Sequence, residues 1–95
     1  MMATMDIRDT SDVIKCLNQA AKAHETWRIE TFTMYRESPK HGHQEVAVEI
    51  LDRGPDFSPR YHVTGTTEGG LYCTGNSGDD LKEVILLTHW FELDK

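Results

Sequence analysis

Three side chains that could bind a metal ion lie at alternate positions in one polar stretch, namely His41, His43 and Glu45. In an extended backbone, alternate side chains point the same way, and imidazole and carboxylate groups are common ligands of divalent metals. These three residues are therefore the candidate metal-ligating group. Histidines beside Lys40 and Gly42 in a polar loop are more often solvated, so the sequence as a whole predicts no metal ion and no other cofactor.

A second set with chemical potential is His62 and Cys73, which could meet diagonally across a hairpin. A cysteine beside a histidine is the minimal arrangement for nucleophilic thiol catalysis. No third residue that would orient the histidine is identifiable, and a structural cysteine packed beside a half-buried histidine is the preferred interpretation. We therefore expect a non-enzymatic protein. Cys16 and Cys73 are the only cysteines and are widely separated, which predicts two thiols rather than a disulfide.

A glycine-rich turn, Thr74 to Gly78, precedes the last predicted helix, as in many phosphate-binding sites. Asp79 and Asp80 follow it at once and would fill the positive end of that helix with carboxylate. The glycines are thus expected to serve turn geometry rather than anion binding.

The helix that follows is predicted from Asp80 to Glu92, with Asp80 capping its first turn. Its core-facing stripe is predicted to consist of Leu81, Val84, Ile85, Thr88 and Phe91. The other sides are also largely apolar, although a domain of this size has a small interior in which to bury them. Loops could cover this excess, or it could meet another protein or a second copy. The residues predicted to contact a partner are Leu86, Trp90 and Leu93. Of these, Leu86 and Leu93 are expected on the solvent side of the helix.

The remaining elements predict a single α+β domain in the order α-β-β-β-β-α, with a largely antiparallel four-stranded sheet and both helices on one face. Residues 1–9 are expected to form a flexible lead and residues 10–95 the domain. The first helix is predicted from Ser11 to Glu25, and the face expected to pack on the sheet consists of Val13, Ile14, Leu17, Ala20, Ala21 and His24. The predicted strands run from Trp27 to Arg36, Gln44 to Asp52, Arg60 to Thr66 and Leu71 to Thr74.

Composition restricts the classes of function. The chain has 38% hydrophobic and 27% charged residues, as in soluble globular proteins, and no apolar run long enough to span a membrane. Asp6 and Asp9, with no apolar segment around them, argue against a secretory signal, so a cytoplasmic location is expected. The net charge of −6 would repel nucleic acid, because the basic residues form no cluster.

The element order is similar to that of the double-stranded RNA-binding domain, in which a helix, an antiparallel sheet and a closing helix follow one another. The resemblance implies RNA binding through basic residues at the start of the last helix. Here that position reads GDDLKE, with Lys82 alone among three acids. RNA binding is therefore a remote alternative.

The leading hypothesis is a small protein-interaction module, which could be homodimeric, that contacts its partner through the last helix around Trp90 or through the aromatic strand from Trp27 to Tyr35. The alternative is a small-ligand or metal-binding protein that uses His41, His43 or a pocket near His62, Tyr61 and Tyr72.

Overall fold

The computed structural model describes residues 10–95, apart from the side chain of Thr74. The predicted lead at residues 1–9 lies outside the described part. The elements, in chain order, are α1 (Thr10–Ala21), β1 (Arg28–Ser38), β2 (Gly42–Asp52), β3 (Tyr61–Thr67), β4 (Tyr72–Gly78), α2 (Leu81–Leu87) and a C-terminal 3-10 helix (Trp90–Asp94). None of the described helices is both long and apolar enough to cross a bilayer.

The four strands form one antiparallel sheet in the order β1-β2-β3-β4, which confirms the predicted α+β meander. Short turns join β1 to β2 and β3 to β4. The Ser38 hydroxyl accepts hydrogen bonds from the N–H groups of Lys40 and His41, which closes the turn between β1 and β2. Gly70, with φ of +91°, closes the turn between β3 and β4, a backbone conformation that glycine adopts without steric cost.

The last strand, β4, is longer than predicted because Gly75 and Gly78 are strand residues rather than a linker. The pairing of β3 with β4 shifts between Val63 and Gly65, which marks a β-bulge. A Cβ atom on Gly75 would lie 1.9 Å from the Val63 carbonyl oxygen. Glycine is required there because the neighbouring backbone leaves no room for a side chain.

The core lies between one face of the sheet and the C-terminal segment, which comprises α2 and the 3-10 helix (residues 81–94). α2 and the 3-10 helix pack against β3 and β4. The buried apolar residues of this cluster are Val46, Val48, Val63, Cys73, Val84 and Leu93. Leu93 is the largest fully buried side chain among them.

The first helix, α1, lies at one end of the sheet. Ile14 is its one buried residue, and it contacts Gly54 in the loop between β2 and β3. Val13 and Leu17, predicted to pack on the sheet, are 37% and 47% exposed. α1 ends earlier than predicted because Lys22 adopts a left-handed conformation, with φ of 54°. That α1 shares a sheet face with α2 stays a prediction.

The second helix begins as predicted and ends early. The Asp80 carboxylate accepts hydrogen bonds from the N–H groups of Lys82 and Glu83, which confirms it as the N-cap. The predicted continuous helix to Glu92 is wrong, because α2 ends at Leu87. Thr88 takes an extended backbone, and its hydroxyl donates to the Val84 carbonyl oxygen at 2.7 Å.

Candidate protein-interaction site

On the core face of the sheet, part of β1 is more exposed than the central strands. Residues opposite one another in antiparallel strands share a face, so Phe32 of β1 lies beside Val48 and Met34 lies beside Val46. Both valines are buried, whereas Phe32 is 50% exposed. Among residues 10–95, the C-terminal segment packs mainly on β3 and β4, and the same face is open at Phe32 of β1.

An apolar groove runs between β1 and the C-terminal segment, with a cavity volume of about 290 Å³. Its lining is formed by Phe32, Met34, Val48, Ile50, Val63, Ile85 and Trp90. The one polar side-chain group among these residues is the Trp90 indole N–H, which donates to the Ile85 carbonyl oxygen at 2.9 Å. The groove is therefore suited to apolar side chains and has no polar group with which to orient a polar ligand.

Trp90 forms one wall of the groove and is fixed from two sides. Its indole N–H bond ties it to α2. Its ring lies over Gly65 of β3, where an added Cβ atom would come within 3.2 Å of the ring and 3.0 Å of the Cys73 sulfur. Glycine at this position lets the indole approach the sheet, and the groove wall is consequently part of the folded core.

Polar contacts hold the 3-10 helix to the β1–β2 hairpin. The Arg36 guanidinium donates two hydrogen bonds to the Asp94 carboxylate, at 2.8 and 3.3 Å, and one to Gln44. Gln44, which is buried, donates to the Leu93 carbonyl oxygen at 2.7 Å. The hydrogen bond from Arg36 is the main reason that the pKa of Asp94 lies below its ordinary value.

The open side of the groove ends at β1, an edge strand of the sheet. Among the described residues, β1 is paired along one side, with β2, in an uninterrupted register from Arg28 to Ser38. Its side chains are exposed along the outer face, including Ile29 at 56% and Tyr35 at 63%, and on the core face at Arg28, Glu30 and Phe32. An edge strand presents backbone N–H and C=O groups that another strand can bind.

The three residues predicted to contact a partner have different environments. Leu86 is 68% exposed and Trp90 is partly buried. Leu93 is fully buried, so its predicted solvent-side position is corrected. The reason is the end of α2 at Leu87, after which the 3-10 helix turns Leu93 into the core. Phe91, predicted to face the core, is instead 60% exposed.

The candidate metal ligands do not come together as a site. His43 stacks on Tyr35, with ring centroids 5.8 Å apart, and its Nδ1 lies 3.1 Å from a Glu37 carboxylate oxygen. No cluster of three or more His, Cys, Asp or Glu side chains suited to a metal occurs within residues 10–95. Glu45 lies opposite Tyr35 in the sheet, and its negative charge is the main cause of the raised pKa of the Tyr35 phenol.

His62 and Cys73 lie on opposite faces of the sheet, so the predicted diagonal contact is wrong. Cys73 is opposite Gly65 on the core face, whereas His62 is opposite Ser77 and contacts its hydroxyl at 2.7 Å. Burial raises the pKa of the Cys73 thiol, which disfavours the thiolate form that nucleophilic chemistry requires. Tyr61 and Tyr72, expected beside His62, are also on different faces.

The sequence indicates β1 as a contact strand but does not reveal the groove beside it. The alternation of side chains along the strand places Phe32 and Met34 on one face. The sequence pattern does not show that the last helix leaves these two residues partly exposed. No protein-family model, curated protein or solved structure matches this chain.

Proposed function

We propose that this protein is a non-enzymatic protein-interaction module, and that its partner binds along β1 with apolar side chains in the groove. The observation that supports this best is Phe32, which is half exposed beside a groove that is apolar throughout. Burying the exposed half of a Phe side chain contributes on the order of 1 kcal/mol. Several such contacts, together with hydrogen bonds along a strand edge, form a recurrent mode of peptide recognition.

The alternatives have less support. Small-molecule sites are usually cavities of about 300–1,000 Å³ with a few polar groups that fix the ligand, whereas this groove is open at β1 and apolar. A metal-binding function would need a cluster of ligands, which His41, His43 and Glu45 do not form. RNA binding is opposed by Asp79 and Asp80 at the start of α2.

Site-specific photo-crosslinking in cells tests the proposal. The photoreactive residue p-benzoylphenylalanine would replace Phe32 in one variant and the exposed Glu49, on the opposite face of the sheet, in a matched control. We expect discrete protein adducts from position 32 and few from position 49. Equal labelling from the two positions, or none from position 32, would refute the interaction surface.

A further inference from the structure

We infer that the partner is a second copy of this chain, paired antiparallel along β1 with Thr33 at the twofold axis. This inference rests on the proposed function, since it names the occupant of the same surface. It begins from the difference between the two edges of the sheet. β4 has seven residues, a bulge in its pairing and α2 packed against it. β1 has eleven residues and neither a bulge nor a proline.

Such features matter because sheet proteins commonly protect their edges with short strands, prolines, bulges or covering elements. Within the described residues, β1 is not short and has neither proline nor bulge, and the 3-10 helix contacts it towards its end, at Arg36. Its remaining edge-protecting feature is charge, as in Glu30 and Arg36. A long, regular edge strand of this kind is suited to pairing with another strand. Its side chains are exposed on both faces from Arg28 to Thr33, whereas Met34, Arg36 and Ser38 are partly or fully buried on the core face.

Twofold symmetry restricts how two copies of β1 can pair. An antiparallel pair is related by an axis perpendicular to the sheet, so the core faces of both copies lie on the same side. Thr33 is the middle of the eleven residues from Arg28 to Ser38, and pairing about it overlaps the entire strand. This arrangement gives an isologous interface, in which each contact occurs twice.

In this register the charges of Glu30 and Arg36, both on the core face, are complementary. Glu30 of each copy lies opposite Arg36 of the other, and Phe32 lies opposite Met34. Arg36 has five N–H donors, of which its contacts with Gln44 and Asp94 use three. It can therefore keep those contacts while it donates to a second carboxylate.

The adjacent symmetric registers are less favourable. Pairing about Phe32 puts Arg28 of one copy opposite Arg36 of the other, and like charges directly opposite one another are destabilising. Pairing about Met34 puts Phe32 opposite Arg36 and shortens the overlap. Of these three registers, the one about Thr33 alone combines full overlap, opposite charges and apolar contact.

Pairing about Thr33 also joins the two grooves. Phe32 and Met34 line the open side of each groove, so the two apolar walls would lie next to each other across the twofold axis. The half-exposed Phe32 rings would be covered by the methionines of the second copy. Because each copy contributes a four-stranded sheet, the dimer would have one continuous sheet of eight strands, with an apolar channel on its core face.

Disulfide trapping tests the register with a matched pair of variants. Thr33→Cys and Thr31→Cys would each be made with Cys16→Ser, which removes the exposed native thiol. In the Thr33 register the two thiols introduced at position 33 are directly opposite. The two thiols introduced at position 31 are separated by four residues along the strand, roughly 13 Å, which is beyond disulfide reach.

In a glutathione redox buffer we expect a disulfide-linked dimer from Thr33→Cys and none from Thr31→Cys. We also expect the unmodified protein to have a dimer mass by light scattering, and Glu30→Arg to raise the dimer Kd roughly tenfold because two favourable pairs become repulsive. The exposed Glu49→Arg serves as the matched charge control and should leave the Kd unchanged.

Equal cross-linking at both positions, or cross-linking at position 31 alone, would overturn the register. A monomer at all concentrations would overturn self-association. In that case photo-adducts at position 32 with a different protein would leave the proposed function standing, whereas the absence of any adduct would remove both.

Discussion

The burial of Leu93 gives the sharpest test of how the C-terminal segment is built. Leu93 is fully buried, whereas Leu86 is 68% exposed. A continuous helix would put both on the solvent side, so truncation to alanine should then have similar, small effects. The observed break after Leu87 predicts that the two truncations differ strongly.

The expected size of the difference follows from the two environments. Truncating a fully buried leucine removes apolar contacts and leaves a cavity, at a cost of about 2–5 kcal/mol. The whole domain is expected to have about 5–14 kcal/mol of unfolding free energy, given its length. Leu86→Ala, in an exposed helical position, should change the unfolding free energy by less than about 0.5 kcal/mol.

Urea denaturation followed by circular dichroism measures both variants. If Leu93→Ala lowers the unfolding free energy by about 3 kcal/mol, it should also lower Tm by roughly 12–24 °C. The Tm of Leu86→Ala should stay close to that of the parent protein. Leu93→Met, which nearly conserves volume, should cost less than about 1.5 kcal/mol. Equal destabilisation by the two alanine variants would refute the packing described for the 3-10 helix.

Two further predictions concern the sheet. Gly75→Ala should cost on the order of 3 kcal/mol of unfolding free energy, because its Cβ atom would overlap the Val63 carbonyl. The control Gly69→Ala, with only the Thr67 hydroxyl nearby at 3.9 Å, should change the unfolding free energy by less than about 1 kcal/mol in the same chemical denaturation. Similar losses from the two variants would contradict the bulge. The carboxylate of Asp52 is partly buried, which raises its pKa, but hydrogen bonds from Arg60 and the Gly54 N–H outweigh this and lower it overall. Its stabilisation should be complete above about pH 4 and be lost as pH falls through the lower folded-state pKa. In Asp52→Asn the unfolding free energy should therefore fall less steeply between about pH 6 and about pH 2 than in the parent protein. An unchanged pH profile would show that Asp52 is not involved.

The sheet could be predicted because its signals are local. Alternating β-branched and aromatic residues indicate the strands, and short turns with Gly or Pro indicate their antiparallel order. Which residues share a face of β4 depends on the number of residues in the preceding turn. A two-residue turn would have put Cys73 beside His62, whereas the three-residue turn from Glu68 to Gly70 reverses the face.

The end of α2 could not be predicted for a different reason. Neither Gly nor Pro follows Leu87, and helical spacing continues through Phe91. The helix stops because Trp90 is tied to α2 and Leu93 enters the core, and both interactions depend on tertiary packing. The groove could not be predicted for the same reason, because its open side depends on where tertiary packing ends α2.

The strand order also affects how the chain folds. Every strand neighbour in the sheet is a neighbour in sequence, so the meander can form by closing short loops, which are kinetically inexpensive. The C-terminal segment is different, because its bonds to Gln44 and Arg36 span 49 and 58 residues. The sheet can therefore assemble first, and the contacts of Gln44 and Arg36 with the 3-10 helix form only when the last residues of the chain dock.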